Sequence, residues 1–97
     1  QHQIGEEYME VFDVNFERVH VDFFNRLLEI NPDLTKRELR LCAFVKMDLS
    51  NKEIAPLLNI SVRGVETGRY RIRKKLDIQE KNFKNYLDSL GSEVSST

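Results

Sequence analysis

The 97-residue chain is 40% hydrophobic and 32% charged, with a formal net charge of −1. That balance excludes a disordered or low-complexity chain, and the length suffices for one small core without disulfide or metal staples. No apolar run is long enough to span a bilayer and no signal-peptide pattern opens the chain, so it reads as a cytoplasmic protein without membrane contact.

From Gln1 to Leu34 eight acids (Glu6, Glu7, Glu10, Asp13, Glu17, Asp22, Glu29, Asp33) face two bases, Arg18 and Arg26. Tyr8, Phe12, Phe16 and Val19 recur in this stretch at near-helical spacing and predict a helix over about Glu6–Arg18, acidic outside and aromatic inside. Asp22 is the expected N-cap of a second helix, Phe23–Ile30, which Asn31-Pro32 ends because a residue before proline is pushed out of the α region. The first residue is Gln1 rather than methionine, which suggests a piece of a longer protein.

Thr35 and Glu38 form a T-x-x-E capping box, with Leu34 and Leu39 placed as its hydrophobic staple. The helix it opens, about Lys36–Met47, carries two apolar stripes, Leu41-Cys42-Val45 and Leu39-Ala43-Met47, plus Phe44. A helix apolar on more than one face is covered on more than one side. One stripe is expected to meet the two-helix unit that follows, Asn51–Leu76, and the other the acidic N-terminal pair. Cys42, the lone cysteine, reads as a buried thiol.

Ser50 and Glu53 repeat the capping box and open a short helix, Asn51–Leu58, with Ile54, Leu57 and Leu58 on its apolar face. Pro56 inside it predicts a kink or a loosened final turn. Asn59 suits a left-handed turn residue, Ile60 plugs the core, and Ser61 caps the next helix, Val62–Leu76. Val65, Ile72 and Leu76 share one face of that helix. From Asn59 to Leu76 six bases (Arg63, Arg69, Arg71, Arg73, Lys74, Lys75) face a single acid, Glu66. Gly68 in mid-helix costs about 1 kcal/mol against alanine, and implies close approach of a neighbouring backbone. After the linker Asp77-Ile78-Gln79, Phe83, Tyr86, Leu87 and Leu90 predict a last amphipathic helix ended by Gly91, with residues 91–97 as a flexible tail.

Two helices joined by a short turn, the second basic, form an arrangement that reads the DNA major groove. The run Leu34-Thr35-x-Arg37-Glu38, Leu49-Ser50-Asn51-Lys52-Glu53-Ile54-Ala55, Leu58-x-Ile60-Ser61, Val65 and Ile72-x-x-Lys75-Leu76 resembles the LuxR-type (GerE-like) helix-turn-helix family over about Leu34–Leu90. The resemblance implies an all-α, four-helix DNA-binding domain, here preceded by two packed helices over residues 1–33. It implies base contacts from Glu66, Thr67 and Tyr70, and dimerisation on DNA through the last helix. The acidic extension resembles the C-terminal region of larger regulators with upstream sensor or receiver domains. The family usually has glycine where Asp48 stands, and threonine, lysine and histidine where Gly64, Glu66 and Gly68 stand.

The expected phosphate-holding set is Asn51, Lys52, Arg63, Arg69, Arg71, Arg73, Lys74 and Lys75, with double-stranded DNA as partner. Arg69 has a structural alternative, paired to Glu53 or Glu38. Phe83, Leu87 and Leu90 either simply close the bundle or also pair with a second copy. No cluster with metal-ligand spacing, phosphate loop or nucleophile constellation appears, so neither catalysis nor a cofactor is expected. Two other readings stay open: a promoter reader like sigma-factor region 4, and a protein-interaction module that has lost DNA binding, as Glu66, Gly68 and the acidic extension suggest.

Overall fold

The structure, a computed structural model, describes residues 20–95, with side chains as far as Leu90. The helix expected over Glu6–Arg18 lies outside the described residues. Those residues form five helices and no strand: α1 Val21–Ile30, α2 Lys36–Lys46, α3 Asn51–Leu58, α4 Val62–Leu76 and α5 Glu80–Ser95. They share one apolar core, to which Phe23, Phe24 and Leu27 of α1 contribute alongside Ile54, Val65, Ile72, Phe83 and Leu87.

α2 is the central post. Leu39, Leu41, Cys42, Ala43, Phe44 and Val45 are all buried, so its circumference is covered, as the double apolar stripe requires. It packs against α1, α3, α4 and α5. The sequence reading left α5 out of that arrangement, although α5 lies on both α1 and α2. Met47, placed on a core stripe by its spacing, is half exposed because α2 ends at Lys46 and Met47 is already its cap.

The capping signals set the helix starts with one exception. Thr35 Oγ1 accepts from Glu38 N–H at 3.1 Å while Glu38 Oε1 accepts from Thr35 N–H at 2.9 Å. Ser50 and Glu53 repeat the pair at 3.2 and 2.8 Å, and Ser61 Oγ accepts from Gly64 N–H at 3.0 Å. Asp22 is the exception. α1 starts at Val21, two residues earlier than a cap at Asp22 allows, with His20 as a cap residue that makes no side-chain capping bond, so Asp22 sits in the first turn. A carboxylate there still complements the helix dipole.

Three helices end on a left-handed residue, and none of the three is glycine: Asp48 (φ 69°), Asn59 (φ 59°) and Asp77 (φ 58°). In each case the following N–H reaches back five residues, from Leu49 to the Phe44 carbonyl (3.2 Å), Ile60 to Ala55 (3.0 Å) and Ile78 to Arg73 (3.1 Å). These bonds satisfy carbonyls the helix leaves open. α3 stays continuous across Pro56, and its last turn closes through Asn59 N–H to the Pro56 carbonyl at 3.2 Å. Gly91, by contrast, is not a terminator. α5 continues through it to Ser95, and no described glycine takes the positive φ that such a cap needs.

Two contacts hold α4 on this scaffold. The α1–α2 loop is tied to its C-terminal turn, where Asn31 Nδ2 donates to the Lys75 carbonyl (3.0 Å) and Lys75 Nζ donates to the Asp33 carbonyl (3.1 Å) and to Glu38 Oε1 (2.7 Å). Where α4 crosses α2, a Cβ on Gly68 would stand 2.9 Å from Leu41 Cδ2. Gly68 therefore marks a close approach, but to a buried leucine side chain and not to the backbone expected from sequence.

Candidate nucleic-acid interface

With Val65, Ile72 and Leu76 buried, the 3.6-residue period turns Arg63, Thr67, Tyr70 and Lys74 outward in one strip, and all four are exposed. Tyr70, 52% exposed, is the most prominent aromatic of the strip. Lys74 Nζ lies 5.6 Å and the Arg73 guanidinium 5.7 Å from its ring centroid. Both cations are within cation–π range of the one ring. Glu66 is exposed on one flank of the strip and Arg71 on the other.

Each flank borders a cleft. The first is lined by Leu49, Ser50 and Asn51 at the start of α3, by Glu66, Arg69 and Arg73 of α4, and by Glu80. Here two of the six bases, Arg69 and Arg73, face one carboxylate. One Glu80 oxygen pairs with Arg69 Nη2, and the other lies 3.0 Å from Arg73 Nε, close but poorly aligned for a hydrogen bond. Arg69 also donates to Asn51 Oδ1 at 3.3 Å and stacks its guanidinium 5.4 Å from the Phe83 ring centroid. It bridges α3, α4 and α5.

The second cleft runs along the other flank, between the starts of α2 and α4. Arg37, Leu58, Ile60, Gly64, Thr67 and Arg71 are among its lining residues.

The structure thus divides the cations read from the sequence. Arg69 does take a carboxylate partner, but it is Glu80 and not Glu38 or Glu53. Lys75, expected among the phosphate-holding cations, pairs with Glu38. Arg73 is shared between Glu80 and Tyr70. Lys52, Arg63 and Arg71 are exposed and make no ion pair among the described residues. Phe83, Leu87 and Leu90 are buried in the core, where they close the bundle. Glu80 went unnoticed in the sequence, though it stands seven and eleven residues after its two arginines, at the first position of the next helix.

Two titratable groups report on the scaffold. Burial works against the Glu38 carboxylate, but the Lys75 ammonium and the Thr35 backbone N–H together outweigh it and hold its pKa below the ordinary value. Burial pushes the Cys42 thiol up to about 12, with the nearby Glu38 charge adding to the effect and Arg69 opposing it. It is a packed apolar group and no nucleophile. No group of metal-ligating side chains occurs among the described residues, and none of their helices is long and apolar enough to cross a membrane.

Comparison with known proteins agrees with this geometry. Residues 32–83 match the family described as bacterial regulatory proteins, luxR family. The chain is 38% identical over 65 residues to an uncharacterized response regulatory protein of Escherichia coli, YgeK, covering 65% of this chain and 44% of that relative. No solved structure matches significantly.

Proposed function

Because the chain belongs to the luxR family of bacterial regulatory proteins and carries its DNA-binding helix-turn-helix domain, we propose that α4 enters the major groove and reads sequence there. The observation that carries this reading is the outward strip Arg63-Thr67-Tyr70-Lys74, whose side chains are exposed on a helix tied to its neighbours at mid-length through Arg69 and at its last turn through Lys75. The groove admits one helix, and a helix with this strip facing the bases sets Thr67 and Tyr70 at base edges with Glu66 beside them. Glu66 cannot neutralise phosphate, but it accepts a hydrogen bond from cytosine N4. Lys52, Arg63, Arg71 and Lys74 hold the flanking phosphates, and the start of α3 at Asn51 adds backbone N–H groups.

The chain spans 44% of the length of the relative it matches, a response regulatory protein. We infer that this domain serves a cytoplasmic transcriptional regulator governed by a sensor or receiver domain upstream, and that two copies pair on half-sites about one helical turn apart. A dimer formed through α5 would use its outer face, where Lys81, Asn82 and Asn85 are exposed, since Phe83, Leu87 and Leu90 are taken up in the core.

Selection of bound duplexes from a random pool tests the reading. The parent chain enriches a defined motif, and Tyr70→Ala or Thr67→Val changes the enriched bases. Arg63→Gln lowers affinity for every duplex alike. A chain that shifts no duplex even at low salt would instead be a protein-interaction module, the reading that exposed Glu66 and the Glu80 clasp favour.

A further inference from the structure

The three helices from α2 to α4 share an electrostatic anomaly. Each carries a cation at its second position, Arg37 in α2, Lys52 in α3 and Arg63 in α4, where a positive charge opposes the helix dipole. All three side chains are exposed, and none makes an ion pair among the described residues. They do nothing for the helices that carry them. Lys52 and Arg63 already have a task in the proposed interface. Arg37 does not, and it lies outside the helix-turn-helix pair.

Its placement supplies one. Arg37 lines the same cleft as Arg71 and Thr67, on the flank of α4 opposite the Asn51-Glu80 side. A helix in the major groove has a sugar-phosphate strand along each flank, because the groove is about as wide as the helix with its side chains. On the Asn51 side Arg69 and Arg73 are tied to Glu80. On the cleft side Arg37 and Arg71 have no carboxylate partner, since Glu38, the acid in that cleft, is committed to Lys75 and Thr35.

Resting on the major-groove reading of α4, we propose that Arg37 and Arg71 form a two-arginine clamp for the DNA backbone strand along the cleft side of α4. Arg37 thereby extends the interface onto α2. The clamp is blind to sequence, because phosphate contacts position a protein without specifying bases.

The test is duplex binding by fluorescence anisotropy across a salt series, with the parent chain, Arg37→Gln, Arg37→Lys and, as a distant basic control, Lys46→Gln. Arg37→Gln is expected to weaken binding severalfold on all duplexes and to make the salt slope shallower by about 1. Arg37→Lys keeps the slope, and so does Lys46→Gln. Removing a cation from a first turn does not lower the melting temperature, so lost binding is not lost fold. A parent-like affinity and slope for Arg37→Gln, with the parent binding normally, overturns the clamp alone. A change of preferred bases without a change of slope also overturns it. A parent chain that binds no duplex overturns both the clamp and the reading beneath it.

Discussion

Lys75 and Glu38 are joined at 2.7 Å between the last turn of the outward-facing helix and the first turn of the central one, 37 residues apart in sequence. The same Glu38 oxygen accepts from Thr35 N–H. One carboxylate therefore starts α2 and anchors the end of α4. Its depressed pKa means that its stabilisation is fully present above the ordinary carboxylate value and lost as pH falls through the lowered one.

Glu38→Gln should keep most of the capping geometry and lose the ion pair, at a cost of about 1–2 kcal/mol near neutral pH for so shielded a pair. Below the ordinary carboxylate value the parent loses this advantage as Glu38 protonates, so the two stability curves converge in acid. Urea melts at neutral pH and at successively lower pH check the convergence. A constant gap between the curves would show that the Lys75 contact contributes nothing.

Asp48 occupies a left-handed conformation at φ 69°. The left-handed region costs an ordinary L-residue roughly 1–2 kcal/mol, somewhat less for aspartate. Asp48→Gly should therefore stabilise the domain by about 0.5–1 kcal/mol, and Asp48→Val should destabilise it by more than that. Thermal unfolding of the two variants beside the parent decides the matter, the glycine variant melting highest and the valine variant lowest.

The helix starts were legible because Thr35-x-x-Glu38, Ser50-x-x-Glu53 and Ser61 each carry their hydrogen bond within four residues of sequence. The basic strip was legible because burial of Val65, Ile72 and Leu76 fixes its register. Long-range partners were not. Nothing local distinguishes Arg69 and Lys75, which meet carboxylates, from Lys74 and Arg71, which do not; the difference arises from where the first turns of α5 and α2 come to lie. Gly91 failed for a related reason. A glycine near the end of an apolar pattern signals a stop only when its φ turns positive, and the pattern alone does not show that.

Gly64 and Gly68 lie one turn apart on α4 and should respond oppositely to alanine. At Gly64 the nearest atoms to an added Cβ, on Ile60 and Ser61, are 3.4 Å away, so Gly64→Ala should gain up to about 1 kcal/mol of helix propensity. At Gly68 the Cβ meets Leu41 Cδ2 at 2.9 Å, and Leu41 is only 2% exposed, so a packed side chain has to shift for the Cβ to fit. Overpacking of about 1–3 kcal/mol then exceeds the propensity gain, and Gly68→Ala should destabilise. In a Leu41→Ala background the same substitution should become stabilising. A double-mutant cycle by chemical denaturation measures that reversal, and additive effects would mean that α4 does not approach α2 this closely.

Glu80 sets how much positive charge α4 shows. Its carboxylate is 53% exposed and faces both Arg69 and Arg73, so a phosphate approaching the Asn51 side competes with it for the same two guanidinium groups. An exposed ion pair of this kind contributes at most about 1 kcal/mol to stability, and Glu80→Gln should leave the fold nearly as stable as the parent. Its effect on DNA should be larger. With Arg73 released, and Arg69 held only by Asn51 and its stacking on Phe83, one or two further phosphate contacts form on every duplex. Affinity at low salt should rise, and the salt slope should steepen by about 1 to 2. The ratio between preferred and random duplexes should fall, because the added contacts ignore sequence. Salt-series anisotropy with one selected and one random duplex measures all three. An unchanged slope would mean that Glu80 lies clear of the DNA and serves only to brace α4 on α5.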